Sequence, residues 1–135
     1  ASDFVFGDLL GRGTIGRVFL TQYRPNGKYY AVKRISKAEV CKRRNMHLIM
    51  SEVDLLESCD SPFLIHQFRA LQDDEYVYLV LDYAAGGELY TRMERGRMPE
   101  PEARFYFCEV AWALQYLHND QHVVFRDVKP ENLLL

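Results

Sequence analysis

The chain has 135 residues, 48% hydrophobic, 13% aromatic and 27% charged, the proportions of a globular domain and not of a disordered or collagenous chain. Seventeen Lys+Arg against nineteen Asp+Glu give a formal net charge of −2, so the charge balance calls for neither nucleic acid nor an anionic membrane as partner. No apolar run approaches the ~20 residues needed to cross a bilayer, and Ala1-Ser2-Asp3-Phe4 lacks the basic-then-apolar pattern of a signal peptide. Cys41, Cys59 and Cys108 are odd in number, far apart and without metal-ligand spacing. The expectation is a soluble, single-core chain of a reducing compartment, cytoplasmic or also nuclear.

The first third reads as strands and hairpins. Phe4 to Leu10 runs into Gly11-Arg12-Gly13-Thr14-Ile15-Gly16, followed by a second strand-like run from Arg17 to Tyr23. Pro25-Asn26-Gly27 is a turn signal, and Lys28 to Ile35 reads as a third antiparallel strand. From Ser36 to Cys59 the period changes. Met46, Ile49, Met50, Val53, Leu55 and Leu56 recur mostly three or four apart, which predicts one amphipathic helix with a basic start at Lys42-Arg43-Arg44. That basic run reads as a solvated helix start, with a docking patch as the alternative. Ser61-Pro62 restarts the chain as strand, and Tyr76 to Tyr83 is a further strand after a turn at Asp73-Asp74-Glu75.

Ala84-Ala85-Gly86-Gly87 is the candidate boundary between a first lobe, 1–83, and a second, 88–135. Glu88 to Arg95 predicts a short helix. Pro99 and Pro101 open a longer one, to about His118, that is apolar nearly all round and therefore expected to be buried. After a strand-like Val123-Val124-Phe125 comes a polar loop, Arg126 to Asn132. The chain then stops on Leu133-Leu134-Leu135, an apolar strand beginning, and reads as a cut sequence.

Glycine leaves room for backbone N–H groups to approach phosphate oxygens, but Gly11-x-Gly-x-x-Gly alone is a weak signal. Context excludes two nucleotide motifs. A dinucleotide fold needs the third glycine to open a helix, whereas Gly16 opens a strand, and a P-loop needs Gly-Lys-Ser/Thr. What remains is a hairpin tip that folds over phosphates, with Val18 set to touch a flat apolar base. Lys33, in Ala31-Val32-Lys33, needs a counter-charge if it points inward, and Glu52 on the periodic helix can supply it. Taken singly, each reads at least as well as a solvated residue. The strongest signal is Phe125-Arg126-Asp127-Val128-Lys129-Pro130-Glu131-Asn132. Phosphoryl transfer needs a carboxylate to orient a hydroxyl, a cation for the migrating group and an oxygen ligand for Mg2+; Asp127, Lys129 and Asn132 are those types within six residues.

These four motifs, in this order, resemble a eukaryotic protein kinase. Ser61-Pro62-Phe63-Leu64, Asp82 to Leu89 and Glu102-Ala103-Arg104-Phe105-Tyr106 extend the likeness to the AGC group, near the catalytic subunits of cAMP-dependent protein kinases. The resemblance implies an α+β, protein-kinase-like two-lobe fold: an antiparallel small lobe with one long helix, then the first helices and catalytic loop of a helical large lobe. It implies ATP and Mg2+. Leu10, Gly11, Arg12, Gly13, Thr14, Ile15, Gly16 and Val18 would cover the nucleotide. Lys33, held by Glu52, would meet the α- and β-phosphates; Leu81 would be the gatekeeper; Asp82 and Ala84 would bind adenine through their backbone; Val18, Ala31 and Leu134 would sandwich the base. Asp127 would orient the substrate hydroxyl, Lys129 would meet the γ-phosphate and Asn132 would hold Mg2+. Glu88 and Glu131 match positions that read basic residues near the target Ser or Thr. A cyclic-nucleotide-controlled regulatory subunit is the implied partner.

Phe125 replaces the family's His, a change that related AGC enzymes share. Gln67 stands where the family carries an apolar residue, so either its amide is satisfied or the stack between the lobes is loosened. The Asp-Phe-Gly motif and activation loop are not in the 135 residues, so the chain by itself is expected to be inactive. A non-catalytic nucleotide-binding isoform or pseudokinase is the alternative reading, and a dinucleotide oxidoreductase is disfavoured by the strand after Gly16.

Overall fold

The computed structural model describes residues 3–13, 16–43 and 46–135, with backbone only for 43 and 46–49. The chain divides into two compact units, Ala1–Ser58 with Ile65–Tyr83, and Cys59–Leu64 with Ala84–Leu135.

The first unit is a five-stranded antiparallel sheet in the order β1-β2-β3-β5-β4. Its strands are β1 (Phe4–Arg12), β2 (Gly16–Tyr23), β3 (Tyr29–Ser36), β4 (Gln67–Gln72) and β5 (Tyr76–Asp82). The three strands expected from the first third are β1 to β3. Alternation along β3 assigns the two faces. Ile35 points with Leu79 of β5 into one core, joined by Val40, Val53 and Leu56, while Tyr30 and Val32 point with Val80 to the other side among Phe4, Tyr23, Leu71 and Tyr78. Ile35 and Leu79 are fully buried, and burying one such side chain contributes about 1.5–3 kcal/mol. The central strand is therefore fixed from both faces. Rings carpet the second face: Tyr30 stacks on Phe68 at 4.8 Å, and the Arg34 guanidinium lies over both Phe19 and Tyr76.

Two local devices set the hairpins. A Cβ on Gly16 would sit 2.8 Å from the Arg34 carbonyl oxygen, so β2 can approach β3 there only with glycine. Between β4 and β5, Asp73 Oδ1 accepts from the backbone N–H groups of Glu75 and Tyr76, and its Oδ2 accepts from the Tyr78 hydroxyl at 2.7 Å. The Tyr78 hydroxyl and then the backbone donors hold the Asp73 carboxyl below its ordinary range; burial, then the Asp73 bond, pushes Tyr78 up to about 12.

The helix expected from Ser36 to Cys59 is described in two stretches, α1 (Lys37–Arg43) and α2 (Met46–Ser58), and residues 44 and 45 between them lie outside the described residues. Ser36 starts the first, accepting the Glu39 N–H as a cap. Arg44, part of the basic run, lies outside the described residues, and Lys42 is exposed. Nor does the chain become strand at Ser61-Pro62. Ser61 closes a turn by accepting the Leu64 N–H, and β4 starts only at Gln67.

The second unit holds α3 (Leu89–Glu94), α4 (Glu100–Asn119) and a 3-10 turn at Pro130–Asn132. Pro99 caps α4 with its carbonyl, and Glu100 and Glu102 favour its N-terminal dipole. Arg92 ties α3 to α4 through Glu102 at 2.6 Å. The Tyr116 hydroxyl accepts from the Asp60 N–H and the Gln121 amide, both at 2.9 Å. The expected burial of α4 is not met: Phe105, Phe107 and Trp112 are 58%, 72% and 60% exposed, while Leu117 is buried. Among the described residues Phe63 lies edge-on to Trp112 at 5.3 Å. Val123 to Phe125 is not a strand either; His122 and Arg126, both with φ near +60°, bend the chain on either side of it. Leu133 to Leu135 makes only a bridge, Leu134 opposite Glu88, with backbone bonds to Gly86, Gly87 and Leu89. A Cβ on Gly86 would sit 2.8 Å from Leu135, so this glycine serves close backbone approach. No helix among the described residues is long and apolar enough to cross a membrane.

Candidate active site

The first cluster lies on one face of the sheet. Strand register places Val18 opposite Lys33, Ala31 opposite Leu81 and Lys33 opposite Leu79, and cross-strand partners share a face. Val18, Ala31, Lys33 and Leu81 therefore line one surface, all half-buried. It is also the face that α2 covers, since Val53 and Leu56 join the core beneath it. That packing brings Glu52 to Lys33, and the two form an ion pair with side chains 23% and 37% exposed. A cation half-withdrawn from water and fixed by a carboxylate, on a surface otherwise apolar, suits a ligand that is flat at one end and anionic at the other.

The glycine hairpin borders this face. Gly11 pairs with Val18, Arg12 with Arg17, and the Gly13 N–H closes the tip on the Gly16 carbonyl at 2.9 Å. A Cβ on Gly11 would meet nothing, so its glycine is not demanded by packing, in contrast to Gly16. Leu10 is 44% exposed on β1. Thr14 and Ile15 lie outside the described residues. Asp82 ends β5, where its N–H donates to the His66 carbonyl.

The second cluster is local in sequence. The Asp127 N–H reaches back to the Phe125 carbonyl at 2.9 Å across Arg126, whose φ is +63°. This is a γ-turn about a left-handed arginine, a strained conformation of a kind that accumulates at functional sites. Nothing in the sequence signals it, because no glycine stands at 126. Beyond the turn, Asp127 Oδ2 accepts from Lys129 Nζ and from Asn132 Nδ2, both at 2.9 Å, and Asn132 also donates to the Asp127 carbonyl at 2.7 Å. Lys129, then Asn132, hold the Asp127 carboxyl below the ordinary carboxylate range; the same contact raises Lys129. Both are charged at neutral pH. A carboxylate so stabilised is a weak base, suited to orienting a hydroxyl more than to stripping it.

Asn132 turns its nitrogen toward Asp127 and keeps Oδ1, a hard oxygen donor, out of these bonds. That donor fits Mg2+, which takes oxygen ligands with several supplied by water or phosphate. Among the described residues no three His, Cys, Asp or Glu side chains converge as a metal site. Glu88 and Glu131 are exposed, and neither is in an ion pair among the described residues. Ala84 and Leu134 lie in the second unit with them, Leu134 48% exposed.

Residues 4–135 match the family model described as protein kinase domain. The chain belongs to the protein kinase family. It is 45% identical over 136 positions to the serine/threonine-protein kinase Sgk3 of Rattus norvegicus, covering 99% of this chain and 27% of that protein. To the cAMP-dependent protein kinase catalytic subunit of Arthrobotrys oligospora it is 43% identical, over 98% of this chain and 26% of the relative. Protein kinase 3 of Dictyostelium discoideum is 37% identical over the same share of the chain. The kinase chain thus spans about a quarter of the length of each of the first two relatives. The family and the fold read from the motifs hold, and the antiparallel sheet followed by helices is the first part of the kinase fold.

Proposed function

We propose that the protein is an ATP-dependent serine/threonine kinase. The observation that carries this reading is the convergence of Lys129 and Asn132 on a single carboxylate oxygen of Asp127. In the proposed reaction the hydroxyl oxygen of a Ser or Thr bonds to the γ-phosphorus of ATP as the bond from that phosphorus to the β–γ bridging oxygen breaks. Asp127 accepts a hydrogen bond from the hydroxyl, aims its oxygen and receives the proton late in the transfer. Lys129 offsets charge on the migrating group. Lys33, kept in place by Glu52, holds the α- and β-phosphates, and Val18, Ala31, Leu81 and Leu134 provide apolar surface for the base. Asn132 is the residue of this chain that would hold Mg2+, which when bound supplies charge neutralisation at the phosphates.

Glu88 and Glu131, both exposed carboxylates, support a preference for basic residues near the target hydroxyl. The Arthrobotrys relative, by its name a catalytic subunit, supports a separate regulatory partner. Three cysteines, odd in number and widely spaced, support a reducing compartment, cytoplasm or nucleus. With one amide oxygen as its metal ligand, the 135-residue chain alone is expected not to turn over.

The test is transfer of label from γ-labelled ATP to Arg-containing Ser and Thr peptides by the full-length protein. Transfer that Asp127→Asn abolishes supports the reading. A nucleotide-induced rise in melting temperature with no transfer would instead favour a non-catalytic nucleotide binder.

A further inference from the structure

Among the described residues one buried side-chain atom finds no hydrogen-bond partner, and it is Gln67 Oε1. Gln67 opens β4, is 6% exposed, and stands directly across from Leu81 on the sheet face that carries Ala31 and Lys33. The neighbours on that face are apolar: Leu81 and Ala70 pack with α2 residues Val53 and Leu56 around Ile35 and Leu79. The other end of the amide reaches α2. Gln67 Nε2 donates to Glu57 Oε1 at 3.4 Å, the long limit of such a bond. At this place α2 is therefore seated on β4 by one long hydrogen bond beside an unsatisfied acceptor, where an apolar side chain of equal size would carry neither defect. Glu57 and Glu52 ride on the same thirteen-residue helix. A change in how α2 sits at Glu57 therefore moves Glu52, and Glu52 is the group that holds the Lys33 ammonium.

We propose that Gln67 is a positioning residue: it keeps α2 loosely seated on β4 and thereby sets how firmly Glu52 holds Lys33. The α2 half of this inference rests on geometry alone; the consequence for nucleotide rests on the kinase reading given above. The variants are Gln67→Leu and Gln67→Met, both close to Gln in volume and without its polar atoms, made in the full-length protein. Hydrogen exchange of the α2 amides is expected to slow about tenfold in either variant, with β1 and β2 unchanged. Affinity for ATP is expected to rise about three- to tenfold. That gain disappears when Glu52→Gln is added, because the effect passes through Glu52.

A simple gain in core packing would raise melting temperature without this pattern. Unchanged α2 exchange, equal slowing across the whole sheet, unaltered ATP affinity in a protein that binds ATP, or a gain that survives Glu52→Gln would each overturn the proposal. A wild-type protein that does not bind ATP counts against the kinase reading, and α2 exchange then decides the positioning role by itself.

Discussion

Lys33–Glu52 and Asp127–Lys129 are both lysine–carboxylate pairs, built in opposite ways. The first joins a strand to a helix across 19 residues of sequence and exists because α2 packs on the sheet. The second spans two residues, with Asn132 three further on, and needs only a bent loop and a 3-10 turn. The side chains of the first are 23% and 37% exposed, those of the second 45% and 63%. A pair made by packing responds to anything that moves the core. A pair made by local chain geometry responds to its own backbone and to salt.

The largest break falls on the local pair. Asp127→Asn keeps the shape but loses the charge, and phosphotransfer by the full-length protein is expected to fall about 10²–10⁴-fold, read by labelled ATP. Next comes Lys33→Met, expected to reduce kcat/KM about 10²-fold by removing a fixed charge from the phosphates. Glu52→Gln should cost less, since the ammonium remains.

The packed half breaks in another way. Gly16→Val would drive a side chain into the Arg34 carbonyl, and a loss of about 1–3 kcal/mol is expected in denaturant unfolding. Gly11→Ala, with open space around its Cβ, should leave the sheet nearly unchanged.

A titration sharpens the contrast. Because Lys129 is the main cause of the lowered Asp127 pKa, Lys129→Ala should return that carboxyl toward the ordinary range, and Asn132→Ala should move it less. Carboxylate NMR would read both. The sign at Asp73 is the same: its folded pKa is depressed, so its contribution to stability is present above the ordinary carboxylate pKa. That contribution is lost only as pH falls through the lowered value. The smallest effect is His122→Gly, expected to stabilise by about 0.5 kcal/mol, since the relief of a left-handed residue is partly offset by glycine's freedom in the unfolded chain.

Much of this was legible beforehand where the physics is local. Pro25-Asn26-Gly27 marked a turn, the strand-like runs on either side of it marked β2 and β3, and the residue types from Asp127 to Asn132 carried their chemistry in a short string. The failures have physical causes. An apolar helix such as α4 does not say whether anything covers it. Val123-Val124-Phe125 has strand composition, yet the chain around it is bent by left-handed His122 and Arg126.

By itself the sequence determined the first three strands, the family and the catalytic string, because each is written in short runs of neighbouring residues. Only the tertiary structure decided that Lys33 is paired and not solvated, that Gly16 answers to β3, and that Gln67 is buried with one end of its amide unsatisfied. Each of those depends on which distant surface is brought alongside, and a side chain's charge partner, free space and hydrogen bonds are fixed only when that surface arrives.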